Sequence, residues 1–232
     1  MKPSPMLCAL FSLLAACATP SASANTARPA STTRQASAAS VDALLAKGRA
    51  LLDAGDGAAA QAAFDQAAAL DPSIKTRVWV LRSWLAQGRV NDTYNAVDEL
   101  AKTTKGVEID YLYGMAFAID AKRGIETNQA GPMTGTKIED ALQYLGIVMK
   151  TDVARFPDAT LMVCWAAWES QRYDIGQAAA EKAVLVLPTN PESHYHLGRF
   201  ALAAFQRDQA DAAKKDAAEA SWQTAFKMAL SN

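Results

Sequence analysis

The side chains best suited to nucleophilic or metal chemistry are few in this sequence: three cysteines and two histidines in 232 residues. His194 and His196 are two positions apart, so on a helix their side chains diverge and cannot bind one metal ion. No pair of cysteines is placed to complete a zinc site, and no nucleophile-elbow, phosphate-loop or dinucleotide-binding motif occurs. The sequence therefore predicts no catalytic site, no metal site and no bound cofactor.

The chain begins with a segment that has the form of a secretory signal peptide. One positive charge, Lys2, precedes an apolar stretch from Met6 to Ala16, which is too short to anchor the protein as a membrane-spanning helix. The stretch ends at a cysteine, Cys17, that follows two small residues. The sequence at this point reads Leu14-Ala15-Ala16-Cys17.

This tetrapeptide resembles the lipobox of bacterial lipoproteins. The resemblance implies that the chain is cut before Cys17 and that this cysteine carries diacylglycerol, usually together with an acylated amino group. Several acyl chains give stable anchoring where one chain would be marginal. Ala18 is not the aspartate that retains such proteins in the inner membrane, so the resemblance implies the outer membrane, facing the periplasm. The alternative is an ordinary signal peptide cleaved close to a chance cysteine.

The segment after the cysteine is predicted to be a flexible linker. Between Ala18 and Ser40 there is no aromatic residue, no acidic residue and no aliphatic residue larger than alanine. Such a segment buries too little apolar surface to offset the entropy of ordering, and it would reach about 25 Å as a flexible coil. We therefore divide the chain into a signal peptide (1–16), a lipidated cysteine with a disordered linker (17–41) and a helical domain (42–232).

Charge and cysteine content exclude two further classes of protein. Lysine and arginine total 23 against 24 acidic residues, so the chain lacks the basic excess typical of nucleic-acid binding. Cys164 is the only cysteine within the predicted helical domain, so an intrachain disulfide framework is not expected there. A small packing residue is the favoured interpretation of Cys164.

The pattern changes to paired amphipathic helices after residue 41. A turn at residues 55–57 divides the first pair, and its landmarks alternate between small and bulky side chains: Gly48, Leu51, Ala60, Phe64, Ala67 and Pro72. A second stretch, residues 180–198, repeats part of the pattern, and Gly198 lies 34 positions after the small residue Cys164. These landmarks and this spacing resemble tetratricopeptide (TPR) repeats. The resemblance implies an all-α fold, a right-handed α-solenoid of about four helix pairs.

Other parts of the pattern are less regular. Residues 74–102 predict a pair broken at Gly88 whose register the sequence leaves open. Residues 107–123 predict a first helix whose partner is delayed by a glycine-rich insertion, and Thr136 with Glu139 predicts a capping box where that partner begins. The insertion (124–137) lacks the Lys-Ser/Thr ending of a phosphate loop, which favours a surface loop. In the last pair, the landmarks of the second helix come later in the sequence than the repeat spacing predicts. They are Ala218, Trp222 and Ala225.

The resemblance also implies where a partner would bind. In TPR proteins the first helix of each pair lines the concave face, and its side chains contact peptides or partner helices. Tryptophan, tyrosine and arginine are the types most often found at binding hot spots. Carried over by register, the candidate partner-binding residues are Arg49, Tyr111, Met115, Trp165, Trp168, Tyr195 and Arg199. The alternative is that the aromatic residues pack between units.

Three functions remain open at this point. The first is a membrane-anchored scaffold or assembly factor that binds a protein or peptide partner in the cell envelope. The second is a structural lipoprotein that associates with itself through the ends of its solenoid. The third is an enzyme acting on the cell wall, which would require paired acids or a nucleophile beside a base in a cleft. We favour the scaffold, and we expect no enzymatic activity and no nucleic-acid partner.

Overall fold

The computed structural model describes residues 30–207 and 212–231, and this part of the chain contains helices and no strand. The predicted signal peptide, Cys17 and residues 18–29 of the predicted linker lie outside these ranges. No helix within them is long and apolar enough to cross a membrane. The helices are α1 (Ala30–Asp53), α2 (Gly57–Leu70), α3 (Ile74–Ala86), α4 (Val90–Thr103), α5 (Val107–Glu126), α6 (Thr134–Thr151), α7 (Asp158–Glu169), α8 (Tyr173–Val186), α9 (Pro191–Arg207) and α10 (Ala212–Ser231).

Consecutive helices pack against each other as five pairs, from α1–α2 to α9–α10. Contacts between neighbouring pairs also join the odd-numbered helices, since α1 touches α3, α3 touches α5, α5 touches α7 and α7 touches α9. Within the described residues the even-numbered helices make no such contacts with one another. The odd-numbered helices therefore form the inner layer of a curved α-solenoid, and the even-numbered helices form its outer layer. The predicted α-solenoid of about four helix pairs is confirmed, with five pairs in the described residues.

Each of three pairs is held at close range by a small residue facing a large one. A methyl group added to Gly48 of α1 would lie 2.2 Å from the Phe64 ring of α2, and one added to Gly198 of α9 would lie 2.4 Å from Trp222 of α10. Gly114 of α5 faces Leu145 of α6 in the same way, at 2.6 Å. These close approaches confirm the predicted alternation of small and bulky landmarks, because only glycine leaves room for the opposing side chain.

Two boundaries differ from the sequence-based expectation. Helix α1 begins at Ala30, directly after Pro29, whereas the helical domain was expected to begin after residue 41. Residues 30–40 are rich in alanine, the strongest helix former, and contain no proline or glycine, so they extend the helix backwards from its packed part. The predicted capping box is wrong as well. Helix α6 begins at Thr134, whose hydroxyl accepts a hydrogen bond from the Gly131 N–H.

The close packing between pairs predicts a strong response to a single methyl group. A Cβ added to Gly176 of α8 would lie 2.1 Å from the buried Phe200 ring of α9. We expect Gly176→Ala to lower the free energy of unfolding by about 1–2 kcal/mol, because the ring must move within a close-packed core. Gly146→Ala is the matched control: nothing lies within 4 Å of that position in α6. There the substitution should stabilise the helix by about 0.5–1 kcal/mol. Urea unfolding followed by circular dichroism measures both, and equal effects would contradict the packing described.

Candidate functional site

The inner layer does not expose all seven predicted partner-binding residues. Tyr111 and Met115 of α5 are fully buried, so their prediction as partner contacts was wrong. Arg49 of α1 is exposed, and its guanidinium lies over the Trp79 ring of α3 with its carbon 5.3 Å from the ring centre. The remaining four residues are partly or largely exposed and lie on α7 and α9. They are Trp165, Trp168, Tyr195 and Arg199.

Tyr111 is buried because it belongs to a polar network across three inner helices. Its hydroxyl donates a hydrogen bond to Asp158 of α7 over 2.8 Å and accepts one from Arg82 Nε of α3 over 3.1 Å. Arg82 Nε also lies 3.2 Å from the Asp158 carboxylate. Burial and the adjacent Asp158 charge raise the pKa of Tyr111 well above its ordinary value, so its hydroxyl stays protonated as a donor. The network ties α3, α5 and α7 together.

Phe156 fills the space beside this network. It lies in the loop between α6 and α7, and its fully buried ring stacks on Tyr111 with centroids 4.2 Å apart. The same ring lies 6.1 Å from Trp79, which in turn lies 5.8 Å from Phe64. The preceding Arg155 pairs with Glu108 of α5 over 2.6 Å. Neither Phe156 nor Arg82 was predicted from the sequence. The only sequence feature that indicates Phe156 is its place as one aromatic residue in a polar loop, directly before the proline that precedes α7.

Most aromatic residues of the first three pairs, including partly exposed ones, pack against another aromatic ring. Another group of partly or largely exposed aromatic residues lies further along the inner layer. The Arg199 guanidinium carbon sits 3.6 Å from the centre of the Trp168 ring and 5.9 Å from that of Tyr195. The other side of Trp168 meets the edges of Tyr173 and Phe200 at 5.4 and 5.6 Å. Tyr195 keeps 48% of its surface exposed. We refer to Trp165, Trp168, Tyr195 and Arg199 as the aromatic–arginine surface.

The electrostatics of this surface follow from its partial burial. Burial lowers the pKa of Arg199, although the nearby Tyr195 and Glu169 act in the opposite direction. A guanidinium stacked on tryptophan is positioned before any ligand arrives, so less side-chain entropy is lost when a partner binds. The surface can therefore offer flat aromatic contact together with a fixed positive charge.

Two further clefts adjoin the inner layer. One, of about 480 Å³, lies between α3, α5 and α7 and is bordered by Ile119, Lys122 and Met162. The other, of about 440 Å³, lies beneath the loop between α5 and α6, where Lys137 of α6 pairs with Asp120 of α5 over 2.7 Å. Of the predicted insertion (124–137), only residues 127–133 form an exposed loop, because residues 124–126 continue α5 and residues 134–137 begin α6. Both clefts are open depressions that mix charged and apolar side chains.

The side chains of the two histidines do not contact each other. His194 Nε2 lies 3.0 Å from the Pro188 carbonyl oxygen, whereas His196 is buried and its Nε2 lies 3.6 Å from Glu192. In the described part of the chain, no group of three or more His, Cys, Asp or Glu side chains could hold a metal ion. Both histidines therefore have structural contacts that account for their positions.

Cys164 has the position expected of a small packing residue. It is fully buried in α7, and its Sγ lies 3.9 Å from the Gly176 carbonyl oxygen of α8. Burial raises the pKa of the Cys164 thiol far above its usual range, so almost no thiolate is present at neutral pH. We expect iodoacetamide at pH 8 to leave Cys164 unmodified in the native protein and to modify it fully in urea. Peptide mass spectrometry measures the alkylated fraction of Cys164 separately from that of the other cysteines. Rapid alkylation of Cys164 in the native protein would contradict its burial.

Comparison with known proteins identifies the fold. No family model matches the sequence, and no curated protein matches it either. The structure is similar to that of TTC0263, a thermophilic TPR protein in Thermus thermophilus, with a TM-score of 0.58 at 19% identity, covering 82% of this chain and 91% of that one. A crystal structure of MamA aligns less closely, with a TM-score of 0.43 at 15% identity, covering 79% of this chain and 95% of that one. The likeness to TTC0263 and the five stacked helix pairs show that this chain has the fold of a TPR-like α-solenoid.

Proposed function

We propose that this chain is a protein-binding scaffold of the bacterial cell envelope, anchored by acyl chains on Cys17 to the outer membrane and facing the periplasm. The observation that carries the binding role is the aromatic–arginine surface. Its residue types are those that dominate binding hot spots, and they lie together on the inner layer of a solenoid, where extended peptides or partner helices bind.

The arrangement favours a protein or peptide over a small polar ligand. Trp165 and Trp168 lie three residues apart on α7 and so share one side of the helix, and α9 adds Tyr195 and Arg199 alongside. Met162, three residues before Trp165 on the same helix, borders the cleft between α3, α5 and α7, so the surface and this cleft are neighbours along α7. A peptide segment laid along the inner layer could contact both, with Arg199 directed at a carboxylate or a backbone carbonyl of the partner.

The proposed location rests on the leader, namely Lys2, the short apolar stretch and the Leu14-Ala15-Ala16-Cys17 sequence. It is tested by Cys17→Ser in the full-length protein. We expect this variant to leave the outer-membrane fraction and to carry no acyl mass, whereas the unchanged protein remains in that fraction. An unaltered distribution of the variant, or an unmodified Cys17 in the parent protein, would refute the lipid anchor.

The binding role is tested by crosslinking in living cells. A photoreactive amino acid replaces Trp165, because Trp168 is enclosed by Arg199, Tyr173 and Phe200 and its loss would disturb their packing. Leu185 of α8, which is 80% exposed on the outer layer, is the control position. We expect one dominant protein to be captured from position 165 and not from position 185.

The captured protein, once purified, should bind the full-length chain, and Arg199→Ala should weaken that binding at least about tenfold. Circular dichroism establishes that the variant remains folded. The proposal fails if position 165 captures nothing in correctly localised protein, or if Arg199→Ala leaves the affinity unchanged.

A further inference from the structure

The last helix pair ends in an apolar surface that no other described helix covers. In three of the described pairs a bulky residue of the second helix packs on a glycine of the first, as Phe64 does on Gly48 and Trp222 does on Gly198. Phe64 has no exposed surface, because Trp79 of the next pair lies against it at 5.8 Å. Trp222 has the same place in the last pair but is 36% exposed. The difference arises because no further described helix pair packs on that side of α10.

The exposed apolar side chains continue along α10. Phe226 and Leu230 are 67% and 73% exposed, and they follow Trp222 at intervals of four residues, which places all three on one side of the helix. Tyr195 of α9 borders the same groove, whose volume is about 540 Å³. We refer to Tyr195, Trp222, Phe226 and Leu230 as the terminal patch. Contiguous exposed apolar patches of several hundred Å² mark interaction sites on soluble proteins, so this patch indicates a surface that something covers.

The size of the patch fits a protein–protein interface. With roughly 200 Å² per large side chain, the exposed fractions of these four residues leave roughly 450 Å² of apolar surface in water. A standard interface buries about 800 Å² on each partner, of which somewhat more than half is apolar, or roughly 450 Å². The apolar part of one complete interface side is therefore already present.

The surrounding charges permit two identical patches to meet. Lys215 and Glu219 lie on the same side of α10 as Phe226, and they pair with each other over 3.7 Å. Glu192, which also borders the groove, pairs with His196 over 3.6 Å. The four residues of the patch carry no charge, and the Lys215–Glu219 pair beside them is neutral overall; Glu192, at the border of the groove, is balanced by His196 only when that histidine is protonated.

We propose that the terminal patch is a self-association surface, through which two copies of this chain pair tail to tail. The opposite end of the solenoid offers less apolar surface for head-to-tail stacking: among the large exposed apolar residues of the described chain, the α1–α2 pair contributes only Leu70. An isologous contact needs one patch alone, repeated by two-fold symmetry. With antiparallel α10 helices, Phe226 lies near the two-fold axis and Trp222 of one copy faces Leu230 of the other.

Tyr195 borders both this patch and the aromatic–arginine surface, but the two proposals can be tested separately because Phe226 and Trp165 lie on different helix pairs. The test is sedimentation equilibrium of the full-length protein in excess non-ionic detergent over a range of protein concentrations. We expect a monomer–dimer equilibrium, and we expect Phe226→Glu to raise its dissociation constant at least about 30-fold. Leu185→Glu, which places the same charge at an exposed position on α8, should leave the dissociation constant unchanged.

A second variant tests whether the two copies of α10 lie side by side in the dimer. Phe226→Cys should form a disulfide between two copies on mild oxidation, and peptide mapping should join position 226 to position 226; Leu185→Cys should not crosslink. A protein that stays monomeric at every concentration overturns the proposal. A dimer that Phe226→Glu leaves intact, or one that crosslinks position 226 to another part of the chain, also overturns it.

Discussion

Replacing Phe156 with alanine is expected to lower the free energy of unfolding by about 3–5 kcal/mol, the range for removing a buried aromatic ring. The ring has no exposed surface, and it stacks on Tyr111 at 4.2 Å while also facing Trp79 at 6.1 Å. Its loss opens a cavity between α3 and α5 that neither rigid helix can close. Urea unfolding monitored by circular dichroism and tryptophan fluorescence measures the change.

Leu185→Ala is the control for this experiment, because it also removes a large apolar side chain but from a position that is 80% exposed. Its effect should stay within about 0.5 kcal/mol. A loss below about 1 kcal/mol for Phe156→Ala would show that the loop between α6 and α7 does not hold the inner layer together. The full expected loss would mean that this loop fixes the spacing of the inner helices near the proposed binding surface.

Removing the carboxylate of Asp158 is expected to have the second-largest effect. Asp158→Ala leaves Arg82, whose side chain is only 16% exposed, without its counter-ion, and Tyr111 without its acceptor. Breaking a fully buried ion pair costs about 3–5 kcal/mol; because 34% of the Asp158 side chain is exposed, we expect about 2–3 kcal/mol. Thermal and urea unfolding at neutral pH provide the measurement.

The start of α8 supplies a matched control. Asp174 lies in the first turn of its helix, as Asp158 does in α7, but it is exposed. Asp174→Ala should cost no more than about 1 kcal/mol, the contribution of an acid near a helix N-terminus. If Arg82→Met is combined with Asp158→Ala, part of the loss should be recovered because no buried charge is left unpaired. Additive effects of the two substitutions would contradict a direct interaction between these residues.

The sequence predicted the helix contacts correctly where a helix pair is short and its repeat pattern is regular. Gly48 and Phe64 are close in sequence, and their contact depends only on two neighbouring helices and the turn between them, so the predicted landmarks were confirmed. The pattern also predicted an insertion over residues 124–137, of which residues 127–133 form an exposed loop and the remainder belongs to α5 and α6. The ends of the helices were predicted less accurately than their pairing. The first helix extends back to Ala30 because helix propensity alone cannot show where packing ceases to support a helix.

The candidate site was only partly predictable. Register placed Tyr111 and Met115 on the first helix of a pair, which is correct, but both are buried. The repeat register predicts which helix a residue belongs to. Whether its side chain is exposed also depends on which other segments of the chain pack over it. Here Phe156 covers Tyr111 from a loop 45 positions later in the sequence. No periodic pattern in the sequence connects Phe156 with Tyr111. The conformation of the loop that carries Phe156 depends on how α6 and α7 pack, and the sequence of the loop does not show this.

The sequence by itself determined the helix pairs, their small and bulky contacts and the leader pattern that predicts a lipid anchor, because each of these depends on residues close together in the chain. The tertiary structure decided which aromatic residues remain accessible, how Arg82 and Asp158 meet across 76 positions, and that the terminal patch lies uncovered in the described chain. The physical reason is that exposure and ion pairing depend on every helix surrounding a residue. A local pattern records only that residue's own helix and its immediate neighbour.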